Sequence, residues 1–331
     1  MAVRLHLSEK VNKSGGIYIM KIVFLDAESL GSDVDFSEFE QLAETVKYPR
    51  TFPEEVPERI QDADVIVVNK VPVSEATIAS ARNLKLVCVS ATGTNNLDKE
   101  YLARRGIEWR NAAGYSTESV AQHTFAMLFY LMENLRYYDD YVRTGGYAAS
   151  SLFTHFGTPF HELGSVTWGI LGLGTIGRRV ADIAKLFGAK VIYYSASGAP
   201  AQEGYRQVDF DTLLTESDIL SIHAPLNEYT ENLMNAEAFH KMKQDAILLN
   251  LGRGPIVNEA DLTEALNSGE IRAAGLDVLS VEPMTKDNPL FGVQDKSRLF
   301  ITPHVAWAAV EARQRLMKIV AAHIREFFRQ A

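Results

Sequence analysis

The sequence predicts an α/β protein with two doubly wound parallel-sheet domains. The chain has 331 residues, and at roughly 150 residues per domain this length corresponds to two domains. From Lys21 onward, short apolar runs rich in β-branched residues alternate with helical or turn segments, which is typical of a parallel sheet with helical connections. A glycine-rich turn between a strand and a helix, at residues 172–177, is the third observation.

The composition excludes several classes of protein and partner. With 47% hydrophobic and 23% charged residues, the chain is ordinary for a globular protein. Its net charge of -9 disfavours nucleic acid or an anionic membrane as the main partner, because both require a basic face. No apolar segment reaches the roughly 18 residues of a membrane span. The one cysteine, Cys88, has no partner for a disulfide or a thiolate metal site, which fits a reducing cytoplasm.

The first part of the chain predicts a leader and one α/β unit. Residues 1–19 contain no apolar segment of signal-peptide length, so we expect a disordered leader, with an ordered arm on a partner subunit as the alternative. Met20 would then begin the ordered chain. A long helix is predicted from about Thr117 to Tyr138, followed by a glycine-containing connection over residues 139–164. The predicted strands before this helix are residues 21–27, 63–70, 84–91 and 107–112.

A second series of six strands follows the connection. Strands joined mainly by helices in this number match a doubly wound dinucleotide-binding fold. The last predicted helix, residues 306–328, could pack on either domain. The strands of this series are residues 165–174, 191–195, 219–225, 246–252, 273–278 and 299–303.

The glycine motif GLGTIG indicates a site for a dinucleotide. An apolar strand precedes it, and an amphipathic helix follows it and stops at Gly188. Gly172 permits a tight turn, Gly174 lets the backbone approach a pyrophosphate, and Gly177 lets the helix pack closely on the strand. The helix N-terminus favours the negative charge of that pyrophosphate. The alternative is that the glycines serve only the turn.

Three polar residues follow consecutive strands of the second series. They are Arg253 in NLGRGPIV, Glu282 in SVEPM and His304 in TPHVAW. Ligands of open α/β sheets bind beyond the carboxyl ends of the strands, so we expect all three on the ligand side. Taken singly, each has another explanation: a solvated loop charge, a surface acid and a helix-capping group.

These three residue types together suit the reduction of a 2-oxo acid. A guanidinium can bind the carboxylate in a bidentate manner and polarise the carbonyl. An imidazolium supplies the proton that the oxygen needs, and a neighbouring carboxylate favours that charged form and orients the ring. A nicotinamide would carry the hydride.

The chain resembles the D-isomer-specific 2-hydroxyacid dehydrogenases, and within them the glycerate dehydrogenase (hydroxypyruvate reductase) branch. The resemblance covers residues 21–328. It implies a Rossmann-like cofactor domain, residues 117–303, inserted into a flavodoxin-like substrate domain of residues 20–116 and 304–331. It also implies a homodimer, and a cleft between the domains that closes on the substrate. The motifs are ATGTNNLD (91–98), SVAQHTFAML (119–128), GLGTIG (172–177), HAPLNEYT (223–230), NLGRGPIVNE (250–259), GLDVLSVEP (275–283) and ITPHVAWA (301–308).

The resemblance also implies roles at matching positions. Arg253 would bind the substrate carboxylate and carbonyl, His304 would be the acid/base, and Glu282 its partner; no metal is implied. Asp277 would hold the nicotinamide amide. The other implied substrate-binding residues are Asn69, Lys70, Thr92, Gly93 and Trp307. The other implied cofactor-binding residues are Thr124, Gly172, Gly174, Thr175, Ile176, Gly177, Ser195, His223, Ala224, Pro225, Thr230, Asn250, Leu251, Gly252 and Ala306.

Two positions depart from the family pattern. Ser195 stands where an acid usually binds the ribose of NAD, and a serine cannot repel the additional phosphate of NADP. No arginine or lysine lies between Ser195 and Arg206 to attract that phosphate. We therefore expect NAD(H) as the cofactor, with NADP(H) accepted as well. Ala309 follows HVAW where this branch often has Ser or Thr, a difference that affects fine substrate preference.

The sequence therefore predicts reversible hydride transfer between NAD(P)H and a short anionic 2-oxo acid, with hydroxypyruvate and glyoxylate as the expected substrates. The alternative is a catalytically weak, dinucleotide-sensing corepressor of the same fold, which keeps much of the site. A formate-type dehydrogenase is disfavoured, because that class has a glutamine at the position of Glu282.

Overall fold

The computed structural model describes residues 9–11 and 17–330. By its contacts the chain divides into unit 1, the chain up to residue 116 together with residues from 309 onward, and unit 2, residues 117–308. The strands are β1 (Glu9–Val11), β2 (Ile17–Ile19), β3 (Lys21–Phe24), β4 (Glu44–Lys47), β5 (Val65–Val68), β6 (Leu86–Val89), β7 (Glu108–Asn111), β8 (Thr167–Leu171), β9 (Lys190–Tyr194), β10 (Arg206–Gln207), β11 (Ile219–Ile222), β12 (Ile247–Asn250), β13 (Ala273–Leu276) and β14 (Leu299–Ile301). The α-helices are α1 (Ser37–Leu42), α2 (Val56–Arg59), α3 (Glu75–Ile78), α4 (Lys99–Arg105), α5 (Thr117–Met132), α6 (Leu135–Arg143), α7 (Thr175–Leu186), α8 (Phe210–Glu216), α9 (Ala236–Lys241), α10 (Glu259–Ser268) and α11 (Val310–Gln330).

Unit 1 contains a parallel sheet of five strands in the order β4-β3-β5-β6-β7. Counted along the chain this is the order 2-1-3-4-5 of flavodoxin-like folds. Every residue of β5 and β6 is buried, as expected for parallel strands covered on both faces. The final helix, α11, belongs to this unit: it packs against β6, and Glu326 pairs with Arg110 of β7 over 2.9 Å.

Unit 2 contains a parallel sheet of seven strands in the order β10-β9-β8-β11-β12-β13-β14. Counted along the chain, β8 to β13 have the order 3-2-1-4-5-6 of a Rossmann-like sheet. The strand order reverses between β8 and β11. The predicted fold class, with a Rossmann-like domain inserted in the sequence of a flavodoxin-like one, is confirmed. The reversal point is where such sheets bind their ligands.

The predicted helix from Thr117 to Tyr138 is two helices. α5 ends at Met132 and α6 begins at Leu135, because Asn134 between them has a left-handed φ of 52°. A residue in that conformation cannot continue a right-handed helix, and asparagine tolerates it better than most residues. α6 ends at Arg143, so its last residues lie within residues 139–164, the segment predicted as a connection.

Two edge strands escape prediction from the sequence. β4 has the sequence ETVK with exposed ends, and β10 has only two residues. Both lie at the outer edge of their sheets, where one side of the strand has no neighbour and a continuous apolar run is not required.

The leader differs from the expectation over two segments. β1 and β2 pair as antiparallel strands, with Glu9 opposite Ile19, so the predicted disorder does not hold for these strands. The other predicted leader residues, 1–8 and 12–16, lie outside the described part of the chain.

The chain returns from unit 2 to unit 1 after residue 308. This boundary lies five residues later than the predicted one after residue 303. The backbone N–H groups of Val305 and Ala306 donate to the Asp277 carboxylate over 2.8 and 3.0 Å. The Ser119 hydroxyl donates to the carbonyl oxygen of Ala306 over 2.5 Å. Because these partners belong to unit 2, His304 and the residues directly after it belong to unit 2 as well.

The cysteine lies in the core of unit 1. Cys88 on β6 has no exposed surface, and burial raises the pKa of its thiol to about 12, so the thiolate is not formed near neutral pH. Within residues 9–11 and 17–330, no helix has the length and apolar character needed to cross a bilayer.

Candidate active site

Three neighbouring strands of unit 2 end in the loops that carry the predicted catalytic residues. β12, β13 and β14 are adjacent and parallel, and Arg253, Glu282 and His304 follow them in that order. The carboxyl ends of parallel strands lie at one edge of the sheet. The structure thus places all three residues at the same edge.

Asn250 shapes the turn that presents Arg253. This asparagine is fully buried; its amide oxygen accepts from the N–H of Gly252 over 3.1 Å, and its amide nitrogen donates to the carbonyl of Arg253 over 3.0 Å. A Cβ on Gly254 would lie 1.9 Å from the carbonyl carbon of Leu279. Only glycine therefore lets the Arg253 turn lie against the segment that leads to Glu282.

The Glu282 carboxylate is held at both oxygens. Oε1 accepts from the N–H of Leu279 over 3.0 Å, and Oε2 lies 2.7 Å from Nδ1 of His304. These two contacts orient the carboxylate toward the imidazole. The pair is partly exposed, with a quarter of the His304 side chain accessible to solvent (25%), so a substrate can reach it.

Glu259 stabilises the loop that carries Glu282 through hydrogen bonds. It lies in the first turn of α10, is buried, and accepts from the N–H of Ser280 over 2.6 Å and the amide of Asn288 over 2.7 Å. Reasoning from the sequence missed this residue. The available signal was an acidic residue at the start of a helix, directly after the NLGRGPIV segment.

His304 adopts a backbone conformation that most residues avoid. Its φ is 54°, in the left-handed region, which costs a non-glycine residue about 1–3 kcal/mol. Its N–H donates to the carbonyl of Asp277 over 2.8 Å, and the Asp277 carboxylate accepts from the next two N–H groups. Asp277 therefore offsets the cost and fixes the direction in which the imidazole points.

A hydrogen-bonded chain continues behind Asp277. The Thr302 hydroxyl donates to Oδ1 of Asp277 over 2.7 Å, and Nε2 of His123 on α5 lies 3.0 Å from the same hydroxyl. Asp277 itself is buried. Its carboxylate has a structural task in the loop of His304, and its contact with a nicotinamide amide stays a prediction.

A cavity of about 290 Å³ lies where the strand order of unit 2 reverses. Seven of the predicted cofactor-binding residues line it: Gly172, Gly174, Ser195, His223, Ala224, Pro225 and Thr230. Further lining residues are Leu173, Tyr193, Ala196, Ser197, Ala199, Pro200, Gln202 and Asn227. None of these lining residues carries a carboxylate.

The loops after β8 and β11 approach each other closely at this cavity. Gly172 has a φ of 93°, and a Cβ there would lie 2.7 Å from the backbone of Ala224. Glycine is therefore required at this turn on both grounds. α7 begins directly after the glycine turn, so its N-terminal N–H groups face the region of the motif, as a phosphate site requires.

His223 provides a test of whether a nucleotide fits the cavity. Both ring nitrogens are buried, and neither has a hydrogen-bond partner among the described residues. Burial lowers the pKa of His223 to about 3, so the ring is neutral near pH 7. Buried polar atoms in proteins nearly always have partners. A ligand with its own donors and acceptors, such as a nucleotide, would supply them, so these residues fit a dinucleotide.

The remaining predicted residues of unit 2 differ in accessibility. Thr175 and Ile176 open α7, whereas Thr124 has no exposed surface and donates its hydroxyl to the carbonyl of Val120 over 2.8 Å. Trp307 is partly buried and packs against a hydrophobic cluster of unit 2. Leu251, Gly252 and Ala306 are buried in the loops after β12 and β14.

The predicted substrate-binding residues of unit 1 follow two of its strands. After β5, the N–H groups of Asn69 and Lys70 donate to the carboxylate of Asp26 over 2.9 and 2.7 Å. Desolvation raises the pKa of the buried Asp26, and these N–H groups oppose the rise. After β6, the Thr92 hydroxyl donates to the carbonyl of Ala112 over 3.1 Å, next to Gly93.

Comparison with known proteins identifies the family. A family model described as D-isomer specific 2-hydroxyacid dehydrogenase, NAD binding domain, matches residues 125–306. The chain belongs to the D-isomer-specific 2-hydroxyacid dehydrogenases. This dehydrogenase is 39% identical over 316 residues to a hydroxypyruvate reductase of Blautia hydrogenotrophica, covering 94% of this chain and 97% of the relative.

Two further comparisons agree. A glycerate dehydrogenase of Methylorubrum extorquens is 38% identical over 308 residues, covering 93% of this chain and 96% of the relative. A solved structure of an acyclic imino acid reductase in complex with NADPH and D-Arg superposes with a TM-score of 0.83 at 30% identity, covering 94% of this chain and 98% of that one.

The resemblance predicted from the seven motifs is thus confirmed. The protein is an enzyme, a D-2-hydroxyacid dehydrogenase that uses a nicotinamide dinucleotide to interconvert 2-oxo and 2-hydroxy acids. This conclusion favours the enzyme over the corepressor that the sequence left as an alternative.

Proposed function

We propose that this dehydrogenase reduces hydroxypyruvate or glyoxylate reversibly to the D-2-hydroxy acid, with hydride from NADH or NADPH. The observation that carries the proposal is the 2.7 Å contact between His304 and Glu282 at the sheet edge that also presents Arg253. The names of the relatives from Blautia hydrogenotrophica and Methylorubrum extorquens support a short hydroxylated substrate.

Arg253 would bind the substrate as an anion. A guanidinium presents parallel N–H groups that match a carboxylate, and its charge polarises the carbonyl that is reduced. Asn250 and Gly254 would serve this step by holding the turn of Arg253. In unit 1, Asn69, Lys70, Thr92 and Gly93 would contribute further contacts to the acid, and Trp307 of unit 2 would limit its length.

His304 would transfer the proton. Because Nδ1 faces Glu282, the proton given to the substrate oxygen would be held at Nε2. When bound, the dinucleotide supplies the hydride to the carbonyl carbon. The carbonyl gains one hydride and one proton and becomes an alcohol, and Glu282 stabilises the imidazolium that starts the cycle. In the oxidation direction His304 accepts the same proton.

The cavity after β8 would hold the adenosine end of the dinucleotide. Ser195 and Thr230 line it, and Thr175 and Ile176 would meet the pyrophosphate. We propose NAD(H) as a cofactor and NADP(H) as accepted too, because Ser195 brings no negative charge against a 2′-phosphate.

Initial rates test the proposed substrate and reaction directly. Hydroxypyruvate, glyoxylate, pyruvate and longer 2-oxo acids are each assayed with NADH and NADPH, and kcat/KM is compared. Hydroxypyruvate or glyoxylate should have the highest value. A higher kcat/KM for pyruvate or a longer acid would contradict the assigned substrate, and no turnover with any acid while NADH binds would contradict the assigned reaction.

We also propose that the enzyme is a homodimer, as the family resemblance implies. In unit 2, the segment after α6 exposes Phe153 and Phe156 at 89% and 87%. Contacts with α6 hold this segment: the His155 ring stacks on Tyr141 with centroids 3.9 Å apart and forms a hydrogen bond with the Tyr137 hydroxyl over 2.7 Å. Exposed aromatic clusters of this kind mark interfaces. Light scattering should give a dimer for the wild type and a monomer for the F153S/F156S variant; an unchanged mass would place any interface elsewhere.

A further inference from the structure

One residue that lines the cavity bonds a cation that the sequence does not place there. Gln202 lines the cavity, and its amide oxygen accepts from Nη1 of Arg178 over 3.1 Å. Arg178 lies in the first turns of α7 and its side chain reaches solvent. An arginine 24 residues before Gln202 in the chain is therefore bonded to the wall of the cavity that Ser195 also lines.

Gln202 is fixed in a position that keeps Arg178 there. Its backbone N–H donates to the Tyr193 hydroxyl over 2.9 Å, and its side-chain amide nitrogen donates to the carbonyl of Leu173, within the glycine motif, over 3.0 Å. With the contact to Arg178, this residue joins the loop after β9 to the glycine turn and to α7. The guanidinium is thus positioned by a residue that is itself held at two other points, one on its backbone and one on its side chain.

The partner of Arg178 is neutral, which separates this cation from its neighbours. Arg206 pairs with Glu216 over 2.8 Å, and Arg179 pairs with Glu118 over 2.9 Å. Arg178 has no ion-pair partner within residues 20–329. Because an amide does not compensate the charge, the guanidinium keeps its full attraction for an anion.

Two hydroxyls that line the same cavity are further groups suited to a phosphate. Oγ of Ser195 lies 3.2 Å from Oγ of Ser197, at the end of the strand where the ribose of a dinucleotide is recognised. Hydroxyl donors and a guanidinium are the groups that bind a phosphate monoester. A site for NAD alone would instead carry a carboxylate here, and the described lining residues include none.

We propose that Arg178, held by Gln202, binds the ribose 2′-phosphate of NADP(H) together with Ser195 and Ser197, and so gives this enzyme its use of NADP(H). This inference rests on the proposed cofactor site. It names Arg178 as a determinant of cofactor specificity, a role for which the sequence offered no residue between Ser195 and Arg206.

Nucleotide binding to the full-length protein tests the proposal without any 2-oxo acid. Isothermal titration calorimetry measures the affinities for 2′,5′-ADP, which carries the 2′-phosphate, and for 5′-AMP, which lacks it. In R178Q the affinity for 2′,5′-ADP should fall by about tenfold or more, since a charge-assisted contact is lost, while that for 5′-AMP should stay within about twofold. Q202E, which sets a carboxylate against Arg178, should weaken 2′,5′-ADP in the same way.

R179Q is the matched control, because it removes the same charge from the same helix at a position paired with Glu118. It should leave the ratio of the two affinities unchanged. Equal losses in R178Q and R179Q, or no loss of 2′,5′-ADP binding in R178Q, would overturn the inference while the proposed reaction stood. Failure to reduce hydroxypyruvate or glyoxylate would overturn the proposed function while a selective loss in R178Q still supported the inference. If the wild type bound neither nucleotide, the proposed cofactor site and this inference would both fail.

Discussion

The backbone N–H of His304 donates to the carbonyl oxygen of Asp277 over 2.8 Å, although the two residues belong to different strand ends. The Asp277 carboxylate accepts from Val305 and Ala306 and from the Thr302 hydroxyl. The left-handed backbone of His304 is therefore held from one neighbouring loop. The direction of the imidazole therefore depends on these backbone contacts as well as on the Glu282 carboxylate that bonds the ring.

Removing the Thr302 hydroxyl should lower activity without removing any group that meets the substrate. In T302V the Asp277 carboxylate loses one of its donors, so kcat should fall several-fold, by about 3- to 10-fold for a lost hydrogen bond, with the affinity for NADH nearly unchanged. T302S keeps the hydroxyl and should restore kcat. Equal kcat in T302V and the wild type would show that this contact does not position His304.

Replacing His304 should abolish proton transfer and spare cofactor binding. General acid-base catalysis contributes about 10²- to 10⁴-fold, so kcat of H304N should fall by that factor in steady-state assays. Calorimetry with NADH should give the wild-type affinity. Near-normal turnover of H304N would refute the acid/base assignment. The kcat of E282Q should lie between those of H304N and the wild type, because the glutamine amide keeps a contact with His304 but not the charge.

Arginine at position 253 should be needed for its shape as well as its charge. A lysine there provides a point charge and cannot make two parallel N–H contacts, so kcat/KM of R253K should fall by about 10- to 100-fold, mainly through KM. The Asn250 contact to the carbonyl of residue 253 is kept in this variant. An unchanged kcat/KM would show that this side chain does not bind the carboxylate.

A carboxylate at position 195 should separate the two cofactors. In S195D the kcat/KM with NADPH should fall by about tenfold or more through repulsion of the 2′-phosphate, while the value with NADH is kept or improved. S195N is the uncharged control of similar size. If the ratio of NADH to NADPH efficiency were the same in S195D, S195N and the wild type, this position would not select the cofactor.

His223 should make the cofactor-free protein sensitive to acid. Burial holds its pKa at about 3, whereas the unfolded chain takes up the proton near pH 6.5, so stability is lost as the pH falls below that value. Between pH 7 and pH 5 the loss from this residue is at most about 2 kcal/mol. H223Q lacks it, so urea titrations should show the wild type losing more stability than H223Q over this interval. Parallel losses would contradict a buried neutral His223.

Much of the fold was predictable because its central strands are buried on both faces. β5, β6, β11 and β12 are continuous apolar runs, and such runs are visible without any knowledge of their neighbours. β4 and β10 lie at sheet edges, where the apolar signal is weak. The break at Asn134 depends on a single backbone angle, for which the local sequence carries only a slight preference.

The sequence by itself determined the family, the two parallel-sheet units and the position of Arg253, Glu282 and His304 after consecutive strands, because strand ends and a glycine turn are local patterns. Only the tertiary structure decided which groups support them. Glu259 meets the Glu282 loop, Asp277 holds His304, and Gln202 brings Arg178 to the adenosine end. Each of these contacts joins residues at least 21 positions apart, and hydrogen bonds over such separations form only once the sheet has set the loops side by side.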